Sequence, residues 1–150
     1  MIELKVETLA MDANNQPVVF MRELEGQRAL PIWIGLPEAA AISSALEGKT
    51  LPRPMTHDLM QHILAELNVQ VVKLVITDMR ENTYYAELTL QVDTLTKQID
   101  CRPSDGIALS LRTGSPIYIS EELFARIERE HQELIRQEKS FQVPGDITIH

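Results

Sequence analysis

The sequence predicts a single α+β domain made of two β3α2 units related by an approximate twofold. Two observations carry that expectation: a hidden repeat of 66 positions, and the same order of alternating segments and capped helices in each half. Slid by that offset, Asp12 meets Asp78, Leu24 meets Leu90, Pro37 meets Pro103 and Gly48 meets Gly114. The repeat units run over about 1–67 and 68–139, and 140–150 is read as a tail.

Each half opens on an apolar/polar alternation, Glu3 to Met11 and Val69 to Thr77, which is the period of a half-buried strand. Turn-favouring residues follow, Asp12-Ala13-Asn14-Asn15 and Asp78-Met79-Arg80-Glu81-Asn82. Second strands begin at Val18-Val19-Phe20 and Tyr84-Tyr85-Ala86. Third strands carry Leu30 to Ile34 and Gln98 to Cys101. Each third strand runs into a helix led by proline, Pro37 or Pro103, and stopped by glycine, Gly48 or Gly114, the expected asymmetry of helix ends. A second helix closes each half, Thr56 to Leu67 and Ser120 to about Glu138, with Thr56 and Ser120 as hydroxyl N-caps. The first of these should bury Leu59, Ile63 and Leu67, flanked by Met60 and Leu64. The connection before the last helix holds a short strand, Ile117-Tyr118-Ile119. In the tail, Val143-Pro144-Gly145 reads as a turn and Ile147-Thr148-Ile149 as an edge strand.

Composition narrows the class. The 150 residues are 44 % hydrophobic and 24 % charged, the balance of a folded chain. A lone cysteine, Cys101, excludes an internal disulfide and fits a reducing, cytoplasmic setting. No apolar stretch approaches the length that spans a bilayer, and no membrane partner is expected. The net charge of −8 weighs against tight, non-specific binding of nucleic acid, which draws its affinity from basic surface. An enzyme that touches a few phosphates is not excluded.

Equivalent positions of duplicated units meet near a pseudo-axis, so the strand-to-helix corners are the candidate site. They are Gly35-Leu36-Pro37-Glu38 and Cys101-Arg102-Pro103-Ser104-Asp105. Glu38 and its counterpart Ser104 both head an apolar helix face. Unpaired N–H groups at helix starts attract phosphate, Arg102 can grip it bidentately, and Ser104 and Arg53 are further candidates to bind it. Glu38 and Asp105 are candidates to activate water or, with Asp58, to hold a divalent cation such as Mg²⁺ or Mn²⁺. His57, at the start of its helix, is a third catalytic candidate facing the same corner. Asp58 and His62 lie four apart on the polar face and can touch there. The plainer alternatives are dipole-favouring acids, a local Arg102–Asp105 pair, a cap-bound histidine and a solvated surface pair. Trp33 reads as core. Cys101 precedes a cation that would lower its pKa, yet has no assigned base. Phe124, Ile127, His131, Leu134 and Ile135 give the last helix a stripe that can dock on its own domain or on a second subunit, a homodimer.

Five segments together resemble the bifunctional nuclease family. They are Leu30-Pro31-Ile32-Trp33-Ile34-Gly35 with Glu38-Ala39; Arg53-Pro54-Met55-Thr56-His57-Asp58-Leu59; Val75-Ile76-Thr77-Asp78; Arg102-Pro103-Ser104-Asp105-Gly106-Ile107-Ala108-Leu109; and Arg112-Thr113-Gly114-Ser115-Pro116-Ile117-Tyr118. They cover roughly residues 1 to 125. The resemblance implies the duplicated β3α2 fold and nuclease activity toward DNA and RNA in some members. It transfers no catalytic constellation, so the site residues above rest on their own chemistry. The sequence leaves two functions in play: a phosphodiester-cleaving nuclease, metal-assisted or not, and a non-catalytic module that binds an anion or a partner.

Overall fold

A computed structural model of the protein describes residues 1–132. Among them, seven strands form one mixed sheet and four helices pack on it. The chain order is β1 (Ile2–Met11), β2 (Pro17–Glu23), β3 (Ala29–Trp33), α1 (Leu36–Leu46), α2 (Thr56–Glu66), β4 (Val69–Arg80), β5 (Thr83–Val92), β6 (Leu95–Cys101), α3 (Pro103–Thr113), β7 (Ile117–Ile119) and α4 (Glu121–Glu130). The last helix as expected from sequence, its Leu134 and Ile135, and the tail at 140–150 extend beyond the described residues.

The sheet order is β3-β2-β1-β7-β4-β5-β6. Two antiparallel meanders, β1–β2–β3 and β4–β5–β6, are joined through the three-residue β7. That strand runs antiparallel to β1, with Glu3 opposite Tyr118, and parallel to β4, with Val75 opposite Tyr118. The strand expected at Ile117 to Ile119 is therefore the seam of the whole sheet. Register shifts between Val6 and Thr8, Val71 and Lys73, and Ile76 and Asp78 mark bulges. Bulges increase local twist and bend a strand. The rolled sheet lets the Tyr84 hydroxyl, on β5, donate to the Pro31 carbonyl on β3 at 2.8 Å.

α3 packs between α1 and α2; it lies against β4 and β5, and α1 against β2. α4 touches both β3 and β4. Phe124 and Ile127 of α4 join Leu30, Ile32, Ile42, Leu74, Ile76, Ile107 and Leu109 in one continuous core. Both proline-led helices end as expected, Gly48 and Gly114 supplying the left-handed residue at φ 64° and 74°.

Several local expectations need correction. β4 continues to Arg80, and the reversal takes only Glu81 and Asn82, both with positive φ, the geometry of a tight hairpin turn. Ser120 caps α4, accepting from the Leu123 N–H at 3.1 Å. Thr56 caps nothing: the cap of α2 is Met55, whose N–H donates to Asp58 Oδ2 at 2.9 Å. The expected buried stripe of α2 faces outward, with Leu59, Ile63 and Leu67 at 51 %, 48 % and 66 % exposure. Instead α2 buries His57 and rests Met60 and Leu64 on the core. Polar contacts chose that face: Gln61 donates to the Arg112 carbonyl at 2.9 Å, and Asp58 and His57 both reach α3. Trp33 is half-buried beside a satellite cluster of Ala10, Val18 and Phe20, not in the main core.

Gly106 marks how closely α3 approaches the sheet. A Cβ added there would lie 2.4 Å from Leu74 Cδ1, and Leu74 is fully buried with nowhere to swing. Gly106→Ala should therefore destabilise by about 1–3 kcal/mol despite the better helix propensity of alanine. Thermal unfolding should show a midpoint lower by roughly 3–10 °C. An unchanged or higher midpoint would refute the tight contact.

Candidate active site

Four side chains from α1, α2 and the β6–α3 corner meet in a chain of contacts. Arg102 Nε donates to Asp105 Oδ2 at 2.8 Å and Nη2 to Asp105 Oδ1 at 3.1 Å. Its Nη1 donates to Glu38 Oε1 at 2.8 Å. Asp105 Oδ1 also pairs with His57 Nε2 at 3.0 Å. The three residues expected to be catalytic, Glu38, Asp105 and His57, are thus brought together with Arg102.

Local sequence explains each placement. Pro103 begins α3 at once, so Arg102 is its N-cap, extended at ψ 141°, and Asp105 sits in the first turn three residues on. Asp105 favours the helix dipole there and is also within reach of its own cap residue. Gly35 is the N-cap of α1, and its missing Cβ leaves room for the Glu38 carboxylate, whose Oε2 lies 2.8 Å from where that Cβ would stand. Glu38 Oε2 is buried with no hydrogen-bond partner among the described residues. His57 is 7 % exposed on the first turn of α2.

Two hollows flank the Arg102–Glu38 pair and share those two residues as a common wall. The first, about 360 Å³, is lined by Trp33, Gly35, Asn82, Tyr84 and Ser104 among others. The second, about 400 Å³, is lined by Ala41, Met55, His57, Asp105 and Arg112 among others. Ser104 is buried and lines the first hollow. Arg53 is exposed and lines neither hollow.

Burial works to raise the Asp105 carboxyl, but hydrogen bonds from Arg102 and His57 outweigh it and hold the group below its ordinary value. With Asp105 ionised, the simplest arrangement has His57 donating its Nε2 proton to it, which leaves Nδ1 as the acceptor nitrogen. Burial pushes the Cys101 thiol up to about 11, so the neighbouring Arg102 does not activate it. The expected cation effect loses because Arg102 spends its charge on two carboxylates while Asp100 and Asp105 add to the thiol's burden.

The metal expectation fares differently for each residue. Glu38 and Asp105 both face Arg102, whereas Asp58 turns away to accept from Arg112 Nε at 2.7 Å. Among the described residues no three His, Cys, Asp or Glu side chains are grouped to hold a metal ion. Asp58 and His62 make no hydrogen bond of the kind the polar face suggested; Asp58 is half-buried and His62 exposed.

Arg112 is the residue that sequence reasoning passed over. It is 8 % exposed, and beyond Asp58 it donates to the Ala108 and Ala41 carbonyls at 2.8 and 3.1 Å. One guanidinium thus ties α1, α2 and α3 behind the site. Its signal was faint: a basic residue in the last helical turn reads as a dipole partner and no more.

With this fold and site described, the chain can be placed. The family model of the bifunctional nuclease domain matches residues 19–132, and the chain belongs to that family. It is 44 % identical over 112 residues to the uncharacterized proteins MT1877 and Rv1829 of Mycobacterium tuberculosis strains CDC 1551 / Oshkosh and ATCC 25618 / H37Rv, a match covering 75 % of this chain and 66 % of theirs. It is 25 % identical over 122 residues to bifunctional nuclease 1 of Oryza sativa subsp. indica, covering 79 % of this chain and 37 % of that protein. The chain thus spans about two thirds of the mycobacterial relatives and little more than a third of the rice protein. No helix among the described residues is long and apolar enough to cross a membrane.

The Asp58–Arg112 contact sets an expected acid response. The Arg112 hydrogen bond, and after it the Met55 N–H, hold the Asp58 carboxyl below its ordinary 3.8 against the effect of burial. A depressed carboxyl contributes stability that is complete above the unfolded-state value and is lost as pH falls through the folded one. Melting temperature should therefore drop steeply below about pH 4. Asp58→Asn should lower the neutral-pH melting temperature, because Arg112 is left buried without its counter-charge, and flatten the acid limb. A mutant whose acid limb parallels the parent's would contradict this.

Proposed function

We propose that the chain is a phosphodiesterase acting on DNA, RNA or both, with Glu38, His57, Asp105 and Arg102 at its centre. The observation that carries this is the linked quartet set between two open hollows, in a member of the bifunctional nuclease family. A guanidinium has five N–H donors; three are engaged here, which leaves two for a ligand. Arg102 is 63 % exposed, so a phosphate can reach it from solvent. In this reading Arg102 holds the phosphodiester, Asp105 orients His57, and His57 Nδ1 or the Glu38 carboxylate accepts a proton from the attacking hydroxyl or water. The bond from phosphorus to the leaving oxygen breaks, and that oxygen takes a proton from solvent. Ser104 supplies a further hydroxyl toward the phosphate, and Arg53 at most a peripheral charge. A divalent cation, Mg²⁺ or Mn²⁺, belongs to the assay as a variable, since the side chains form no dedicated cage for it.

A second reading is a non-catalytic module that holds an anion or a partner in the same cleft. The net charge of −8, which weighs against a tight nucleic-acid binder, favours it. We also read the repeated order of strands and proline-led helices as an internal duplication of a β3α2 unit. A cytoplasmic homodimer completes the proposal, and light scattering reads its assembly state.

Cleavage of fluorescent single-stranded RNA and DNA, with Mg²⁺, with Mn²⁺ and with chelator, separates the two readings. Asp105→Ala, His57→Ala and Glu38→Ala should each lower the rate at least roughly 100-fold, the scale of losing acid–base catalysis. Arg102→Lys, which keeps charge but loses the fork, should lose roughly tenfold or more. Cutting that survives unchanged in all four variants would assign the activity elsewhere and favour the binding module.

A further inference from the structure

The first hollow gathers an aromatic ring, two amide-bearing residues and a guanidinium in one lining. Its volume of about 360 Å³ lies within the range of small-ligand sites. Trp33 lines it together with Ile32, Ile34, Gln16, Asn82 and Arg102. Trp33 is held before any ligand arrives: its indole N–H donates to Asp12 Oδ2 at 3.0 Å, and its ring meets that of His131 at 5.9 Å between centroids, tilted by 49°. Asp12 Oδ1 in turn accepts from the N–H groups of Asn14 and Gln16 at 2.8 and 2.9 Å. Asn82 occupies the second position of the two-residue β4–β5 turn at φ 64°, so its side chain is presented by a constrained hairpin tip.

We propose that this hollow is a base-binding subsite, taking one unpaired nucleobase against Trp33 with the adjoining phosphate on Arg102. The proposal rests on the phosphodiester reading of the same site. Every base offers a π-face to an aromatic wall, and stacking of this kind tolerates any sequence. Primary amides present both a donor and an acceptor, the complement of a base edge. A base inside a duplex is stacked and paired, and must leave the helix to enter such a hollow. The acidic charge of the chain fits this picture. With little counterion release to draw on, affinity comes from stacking, and few phosphates contribute.

Trp33 is the only tryptophan of the chain, so its fluorescence reports from inside the hollow. Titration of the parent with AMP or UMP should give saturable quenching, and inorganic phosphate none. A single-stranded hexanucleotide should bind at least tenfold more tightly than its duplex, with an affinity that falls with salt at a slope near one phosphate. Asn82→Gly, which keeps the positive-φ turn, should weaken mononucleotide binding roughly tenfold with little change in melting temperature, and Arg102→Ala should weaken it by a similar factor. A fluorescence silent to nucleotide, or one that responds equally to inorganic phosphate, overturns the subsite. The two proposals fail separately. RNA cleavage with silent Trp33 removes the subsite and leaves the phosphodiesterase. Saturable quenching without cleavage by the parent supports the subsite and removes the phosphodiesterase.

Discussion

The three-way grip of Arg102 on Glu38 and Asp105 is the constraint from which the site follows. It ties the N-terminus of α1 to that of α3, and Asp105 passes the connection to His57 on α2. Its energetic value is modest, because Arg102 is largely exposed and exposed ion pairs contribute about 0–1 kcal/mol. Its value is positional. Three helix starts from distant parts of the chain are brought to one point, and each arrives with its dipole's positive end toward the same small volume. The stronger adhesion lies behind it, where buried Arg112 holds carbonyls of α1 and α3 and the Asp58 carboxylate of α2. One arginine faces the open hollows, and the other fixes the wall.

The corners meet because the sheet rolls. In a flat seven-stranded sheet, β3 and β5 would stand far apart, four strands lying between them in the order. Bulges in β1 and β4 and the short seam at β7 permit the twist, and Tyr84 bonds to Pro31 across the gap. The same bond stands beside the first hollow, with Tyr84 in its wall. Cleft geometry is thus a consequence of sheet curvature, and the hydroxyl of Tyr84 is buried for that reason, with its ionisation pushed upward by burial.

What was legible in sequence divides along physical lines. Pro37, Pro103, Gly48 and Gly114 act through their own backbone chemistry, so both helices were readable to within a residue or two. Strand alternation was readable wherever one face is buried. The orientation of α2 was not, since periodicity alone offers Leu59-Ile63-Leu67 as the natural core face. The fold instead turns inward the face carrying His57 and Asp58, because Asp105 and Arg112 wait there. That information sits some 48 to 54 residues away and has no local trace. The meeting of Glu38 with Arg102 and Asp105 was legible because their two corners were expected to face one another, and that of His57 because it opens its helix beside them. The Asp12–Trp33 bond and the role of Arg112 were invisible for the opposite reason, as each joins positions that the expected repeat does not relate.

Charge within the cleft argues for the kind of phosphate it can hold. Glu38 and Asp105 bring two negative charges and Arg102 one positive, so the trio carries a net −1. A ligand must share Arg102 with carboxylates already bound to it. A phosphodiester adds a single negative charge, and a terminal phosphate near neutral pH adds nearly two. At short range, each extra like charge is worth on the order of a kcal/mol or more in a partly solvated cleft. For the same base, a diester is therefore held more tightly than a monoester, which keeps only its base contact and a weakened share of Arg102. Under the phosphodiesterase reading, the product's new phosphate is repelled by the same carboxylates that tolerated the substrate, and the acidic wall that weakens binding also hastens release.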